Sequence, residues 1–297
     1  MILPSLSIAF SAAGAILQPR RTRSLLNPRG HIPIVRIMDI EMISDPPFFI
    51  LGCVRSGTTL LRDVLRSSGR LECPEETHYY RWGQPFGSNA YRTEVTKRRV
   101  LKRHRKMDKV DEGLFEEMVA TASSRRDFQN RYMKAFLAGA ANEGGRWFDK
   151  SPQNIYGLPL LAHDYPSASF VHIVRNPLNV VASLMVGKVI GAPSVIAAAN
   201  YWLEAVAIFN TVQPAIKERS YELKYEALTS NPKIESKRLM KFLGEDTRSL
   251  TYNFSRIHPE RDQYLSVLSD EDIAVVRDIC GKWAEHYGYD LSVKGKR

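Results

Sequence analysis

The stretch Pro47–Leu61, PFFILGCVRSGTTLL, combines residue types that can hold an anion. Its apolar run Phe48–Leu51 predicts a strand. Gly52 and Gly57 bound a loop, and Thr58-Thr59 open a helix. A strand, a glycine-bounded loop and a helix N-terminus make a phosphate cradle. Backbone N–H groups converge on the ligand, and the helix end carries partial positive charge. The spacing is that of the nucleotide-triphosphate loop G-x-x-x-x-G-K-[ST], with Thr58 where the lysine belongs. Arg55 supplies a cation elsewhere in the loop. Without that lysine the cradle suits a less charged group than a triphosphate, such as a 5′-phosphosulfate. A transferred sulfonyl does not require a bridging magnesium, so no metal is expected. The plain alternative is an ordinary strand–turn–helix.

A second anion site is predicted at Arg175, directly after the apolar run Ser169–Val174 (SFVHIV), with Ser183 eight residues on. A guanidinium grips phosphate with two parallel donors, and a hydroxyl adds another. Open α/β sheets bind ligands outside the carboxyl ends of their strands, which would bring Arg175 and the cradle together. Glu75-Glu76-Thr77-His78 adds two carboxylates and an imidazole, either type able to act as a general base toward a hydroxyl.

These motifs resemble those of the sulfotransferase superfamily. Its 5′-phosphosulfate loop reads R-S-G-T-T, here Arg55, Ser56, Gly57, Thr58 and Thr59. Its 3′-phosphate motif is an arginine after a strand and a serine eight residues later, here Arg175 and Ser183. The resemblance implies 3′-phosphoadenylyl sulfate as donor. Tyrosylprotein and related carbohydrate sulfotransferases carry C-x-E-E-T after the cradle, here Cys73–Thr77, which makes Glu76 the implied base. His78 is the runner-up, because cytosolic sulfotransferases use histidine. It also stands where the tyrosylprotein enzymes have an arginine for acidic peptides. Lys150, in Asp149-Lys150-Ser151-Pro152, matches K-[DST]-P and would act with Arg55 on the leaving phosphate. Phe148 replaces the cysteine that pairs, in tyrosylprotein enzymes, with the one matching Cys73. Lys224–Leu228, Pro232 and Phe242–Gly244 resemble a Y-E-x-L…P…F-L-G segment and place Tyr225 near the 3′-phosphate. Lys188 is a further phosphate-contact candidate, and Arg256, His258 and Arg261 are candidates by charge alone. The resemblance spans Phe48–Tyr289 and is weakest across residues 85–145, where acceptor specificity is expected.

The elements that must position these groups alternate strand and helix, which implies an α/β fold: a P-loop-like parallel sheet with helices on both faces. Helices are expected at about 58–68, 92–140, 154–163, 177–186, 194–217, 232–243 and 270–286, with Pro214 bending or ending the fifth. Strands are expected at 48–51, 146–148, 169–174 and 222–225. Residues 1–45 read as a disordered leader or an over-extended gene start, and 46–297 as a single domain.

The chain has 297 residues and a net charge of +10. Residues 1–36 hold five arginines and no acid, leaving +5 for the remainder. A basic balance suits an anionic ligand. Nucleic acid is not expected, since zinc-finger and RNA-binding signatures are absent from the sequence. Arg92–Lys109, with nine Lys/Arg against Glu94 and Asp108, reads mostly as a solvated helical face. Three cysteines without metal spacing suit a reducing, cytoplasmic setting, and Cys53 reads as a packing residue. No firm membrane span is expected, and a homodimer is compatible with the sequence. The partner implied is a hydroxyl-bearing acceptor: a carbohydrate, a small molecule or a peptide. The competing readings are a P-loop kinase, which needs a cradle lysine and a magnesium-holding acid, and a non-catalytic anion-binding protein on the same fold.

Overall fold

A computed structural model describes residues 45–140, 145–188 and 190–292. The expected leader lies, up to residue 44, outside them, as does most of the break expected at 142–145. Five strands form one sheet: β1 (Phe48–Gly52), β2 (Leu71–Glu72), β3 (Arg146–Lys150), β4 (Ser169–Val174) and β5 (Ser220–Lys224). Their order is β2-β3-β1-β4-β5, and every pairing is parallel. All five carboxyl ends therefore open on one edge. Chain connections diverge on either side of the β1–β4 pair. That is the topological switch point where ligands settle in open α/β sheets.

Side chains alternate across a strand, and β1 uses both directions. Phe48 and Ile50 enter one buried cluster, Phe49 and Leu51 the other. The first cluster packs against α1 (Thr58–Arg66), α9 (Tyr225–Ser230) and α10 (Pro232–Phe242). The larger one takes in α6 (Leu158–Asp164), α7 (Pro177–Met185), α8 (Val195–Val212) and α12 (Asp270–His286). It also absorbs apolar residues of α2 (Asn89–Lys97), α4 (Glu112–Thr121) and α5 (Arg125–Ala138); α3 (Arg99–Met107) directly follows α2 in the chain. The expected doubly covered parallel sheet is present. Phe148 stacks on Phe48 with ring centroids 4.6 Å apart, about 1 kcal/mol of packing beyond burial.

Several boundaries differ from the sequence reading for local reasons. Residues 92–140 form parts of four helices rather than one long helix. Their starts are set by Ser88, Asp111 and Ser124, whose side chains accept backbone N–H bonds at α2, α4 and α5. Residues 152–157 make a 3₁₀ turn before α6. α8 ends at Val212, and Pro214 lies in the 3₁₀ segment that follows. The two-residue β2 is too short to show a period, so it was not expected as a strand. A short four-residue helix, α11 (Tyr264–Val267), also escaped the pattern. Val195–Arg219 is, by length and composition alone, long and apolar enough to cross a membrane, with mean hydropathy 1.3. Its alanines raise that mean, while Trp202, Val206 and Phe209 bury one face in the core.

Candidate active site

Each strand delivers a chemical group to the shared edge. β1 runs into the cradle, β2 leads to Glu76 and His78, β3 ends at Lys150, β4 is followed by Arg175, and β5 by Tyr225. A cavity of about 230 Å³ lies among them, lined by Arg55, Gly57, Thr58, Thr59, Glu76, Arg175 and Ser183. Residues from distant sequence positions thus converge as the motif spacing predicts.

The cradle needs its glycine twice over. Gly57 has φ +90°, and a Cβ there would come within 2.2 Å of the Tyr225 ring. Gly57 caps α1 without a side-chain hydrogen bond, so the first-turn N–H groups of that helix have no side-chain cap. Ser56 Oγ is buried and has no hydrogen-bond partner among the described residues. A buried hydroxyl, an uncapped helix start and a glycine turn fit an anionic group. Arg55 holds a left-handed backbone, φ +70°. Its Nε donates to Ser183 Oγ at 2.9 Å, and its carbonyl accepts from Arg175 Nη1 at 2.8 Å. The two predicted anion motifs are therefore in direct contact.

Arg175 lies over the Tyr225 ring at 4.7 Å and pairs with Glu260 at 2.5 Å. Glu260 was not foreseen. It comes from the segment that contributed Arg256, His258 and Arg261 as charge candidates, yet those three are exposed, and none lines the cavity. Lys188 is also exposed and outside the lining.

On the opposite wall, Lys150 Nζ donates to Glu76 Oε1 and lies 3.5 Å from Thr59 Oγ1. His78 Nε2 is 3.2 Å from Glu76 Oε2. Burial opposes the charge on Glu76, but His78 and Lys150 outweigh it and pull the carboxyl from 4.5 to about 2. Glu75 points elsewhere and pairs with Arg62 at 3.0 Å, as expected of a residue outside the chemistry.

The loop bearing Glu76 is fixed by a buried network around Asp149. The Asp149 carboxylate accepts from Thr77 Oγ1 at 2.6 Å, Ser151 Oγ at 2.7 Å and Asn154 Nδ2 at 3.1 Å. Ser151 Oγ in turn accepts from Thr77 N at 2.8 Å. His104 Nδ1 lies 2.9 Å from the Glu76 carbonyl oxygen, and Asp108 accepts from Glu75 N at 2.7 Å. The contacts that tie the loop to distant elements escape any local pattern: Glu76 and His104 lie 28 residues apart, Thr77 and Ser151 74. Cys53 is buried and burial pushes its thiol up, consistent with packing. Among the described residues no cluster of three or more His, Cys, Asp or Glu is placed to hold a metal.

Comparison with known proteins gives a consistent result. A model of the sulfotransferase family matches residues 46–249. The omega-hydroxy-beta-dihydromenaquinone-9 sulfotransferase Stf3 of Mycobacterium tuberculosis is 24% identical, over 84% of this chain and 76% of its own length. The sulfotransferase domain of the Synechococcus PCC 7002 olefin synthase superposes with a TM-score of 0.60 at 20% identity, covering 83% of this chain and 96% of that one. Sulfotransferase STF9 of Mycobacterium avium gives 0.54 at 15% identity, over 84% of this chain and 78% of its own. These structures share the fold. With two-thirds of its length matched by the family model, this chain belongs to the sulfotransferase family.

Proposed function

We propose that this sulfotransferase moves a sulfonyl group from 3′-phosphoadenylyl sulfate to an acceptor hydroxyl. The observation that supports it most is the contact between the two anion motifs, with Arg55 bonded to both Ser183 and Arg175. A donor with phosphates at both ends of an adenosine needs two such sites side by side. Arg55, Ser56, Gly57, Thr58 and Thr59 would hold the 5′ end. Arg175, Ser183 and Tyr225 would hold the 3′-phosphate. The donor supplies an activated sulfonyl and departs as the 3′,5′-bisphosphate.

Glu76 receives the acceptor's proton at a carboxylate oxygen. A carboxyl held at about 2 is a weak base. An anion in the cradle competes with Glu76 for Lys150, and Glu76 relieved of that ammonium becomes more basic. Lys150 then faces the charge that grows on the leaving oxygen, with Arg55 on the same side. His78 keeps the second Glu76 oxygen oriented and is the alternative base. Thr58 in place of a cradle lysine disfavours a kinase reading. The acceptor class is a hydroxyl compound, as it is for the menaquinone-derivative sulfotransferase to which this chain is similar.

Replacing Glu76 tests the assignment. Glu76→Ala is expected to lower turnover by roughly 10²–10⁴-fold while 3′,5′-bisphosphate affinity stays near wild type. Equal loss of both would remove Glu76 from the base role.

A further inference from the structure

Beside the donor cavity lies a second cavity of about 350 Å³, lined by Arg81, Gln153, Tyr156, Asn200, Tyr201 and Glu204. Two short chain segments tie it to the chemistry. Gln153 directly follows Pro152, which lines the donor cavity together with Glu76. Arg81 closes the turn that begins at His78, its N–H donating to the His78 carbonyl at 3.1 Å. The Asp149 network that fixes the Glu76 loop also fixes this wall, through Asn154, which accepts from Tyr80 N at 3.1 Å.

Arg81 is the unusual member. It is half-buried, and burial lowers its affinity for its proton. Glu94, an acid that acts on it, is itself paired with Arg98 at 2.5 Å. Glu204 is bonded to the Tyr156 hydroxyl. Among the described residues no carboxylate forms an ion pair with Arg81. A partly desolvated guanidinium without a counter-ion is unfavourable, and a planar oxyanion placed against it would relieve that. Tyr156 and Tyr201 border the same space and offer ring faces and hydroxyls.

We propose that this second cavity is the acceptor site, and that Arg81 selects acceptors carrying an acidic group on a ring or chain beside the hydroxyl to be sulfonated. The inference deepens the sulfotransfer reading and rests on it. Tyr156 and Tyr201 flank the acceptor's apolar body. Arg81 holds its carboxylate or phosphate away from Glu76, and the adjacent Pro152 and Gln153 border one cavity each.

Calorimetric titration of three matched phenols tests this: 4-hydroxyphenylacetate, neutral 4-ethylphenol and cationic tyramine. Each is titrated with and without saturating adenosine 3′,5′-bisphosphate. The acidic phenol is expected to bind at least ~10-fold more tightly than the other two. Arg81→Gln should abolish that preference and Arg81→Lys should keep part of it, while both bind the bisphosphate as wild type does. Equal binding of the three phenols, a preference for tyramine, or no binding of any of them overturns the proposal. Failure of the bisphosphate itself to bind overturns the donor site instead, and the titrations without it still report on this cavity.

Discussion

The carboxyl edge of the sheet and the helical segment from Asn89 to Ala138 shape the same cavity in different ways. At the edge, the chain leaving β1, β2, β3 and β4 lines the cavity with Thr58 and Thr59, Glu76, Pro152 and Arg175, and the groups are short-range consequences of local motifs. The helical segment contributes no residue to the lining of the 230 Å³ cavity. It supports the Glu76 loop from behind. His104 meets the Glu76 carbonyl, and Asp108 takes Glu75 N together with the Tyr132 hydroxyl at 2.6 Å. Arg105, from the basic run, is fully buried, bonded to Glu112 at 2.7 Å and set over the Phe115 ring at 3.9 Å. One region lines the cavity; the other limits where the loop that carries Glu76 can go.

Breaking each region separately sharpens that contrast. The largest effect is expected at the edge. Arg175→Ala removes the guanidinium that joins the cradle carbonyl, the Tyr225 face and the proposed 3′-phosphate. Affinity for adenosine 3′,5′-bisphosphate should fall about 100-fold, or ~3 kcal/mol, with 5′-AMP affinity much less changed. Calorimetry on both nucleotides checks it. Equal losses would mean that Arg175 supports the cradle rather than a separate phosphate site.

A smaller effect, of a different kind, is expected behind the edge. Arg105→Ala leaves the Val95 carbonyl and Glu112 without their donor and opens space beside Phe115. It should lower stability by about 2 kcal/mol, read from denaturant melts, and leave bisphosphate affinity of the folded protein intact. A loss of affinity larger than the loss of stability would erase the distinction between the two regions.

A third effect is read in acid. The folded-state value of Glu76, about 2, lies below its ordinary 4.5. Its contribution to stability is thus present above about 4.5 and is lost as pH falls toward 2. Glu76→Gln should flatten the stability profile in that window relative to wild type. Unchanged curvature would show that Lys150 and His78 do not hold the charged carboxylate.

The same division decides what could be read from the chain alone. That Gly57, Arg175, Ser183 and Glu76 would come together around one cavity was legible because each belongs to a motif of fixed short spacing. The doubly covered sheet was legible from strands that alternate with helices. Arg105 was not, because burial of one arginine in a run of cations depends on Glu112 and Phe115 arriving from another helix. Glu260 was hidden likewise: its partner is 85 residues away, and its neighbours Arg256, His258 and Arg261 offered more obvious charges. The Asp149 network joins residues on either side of the helical segment, beyond the reach of any local pattern.

The central claim is that two adjoining anion sites, one after β1 and one after β4, match the two phosphate-bearing ends of one adenosine ligand. Competitive calorimetry between adenosine 3′,5′-bisphosphate and magnesium ATP tests it most directly. The bisphosphate is expected to bind at least ~30-fold more tightly, about 2 kcal/mol. Equal or tighter binding of magnesium ATP would contradict the account.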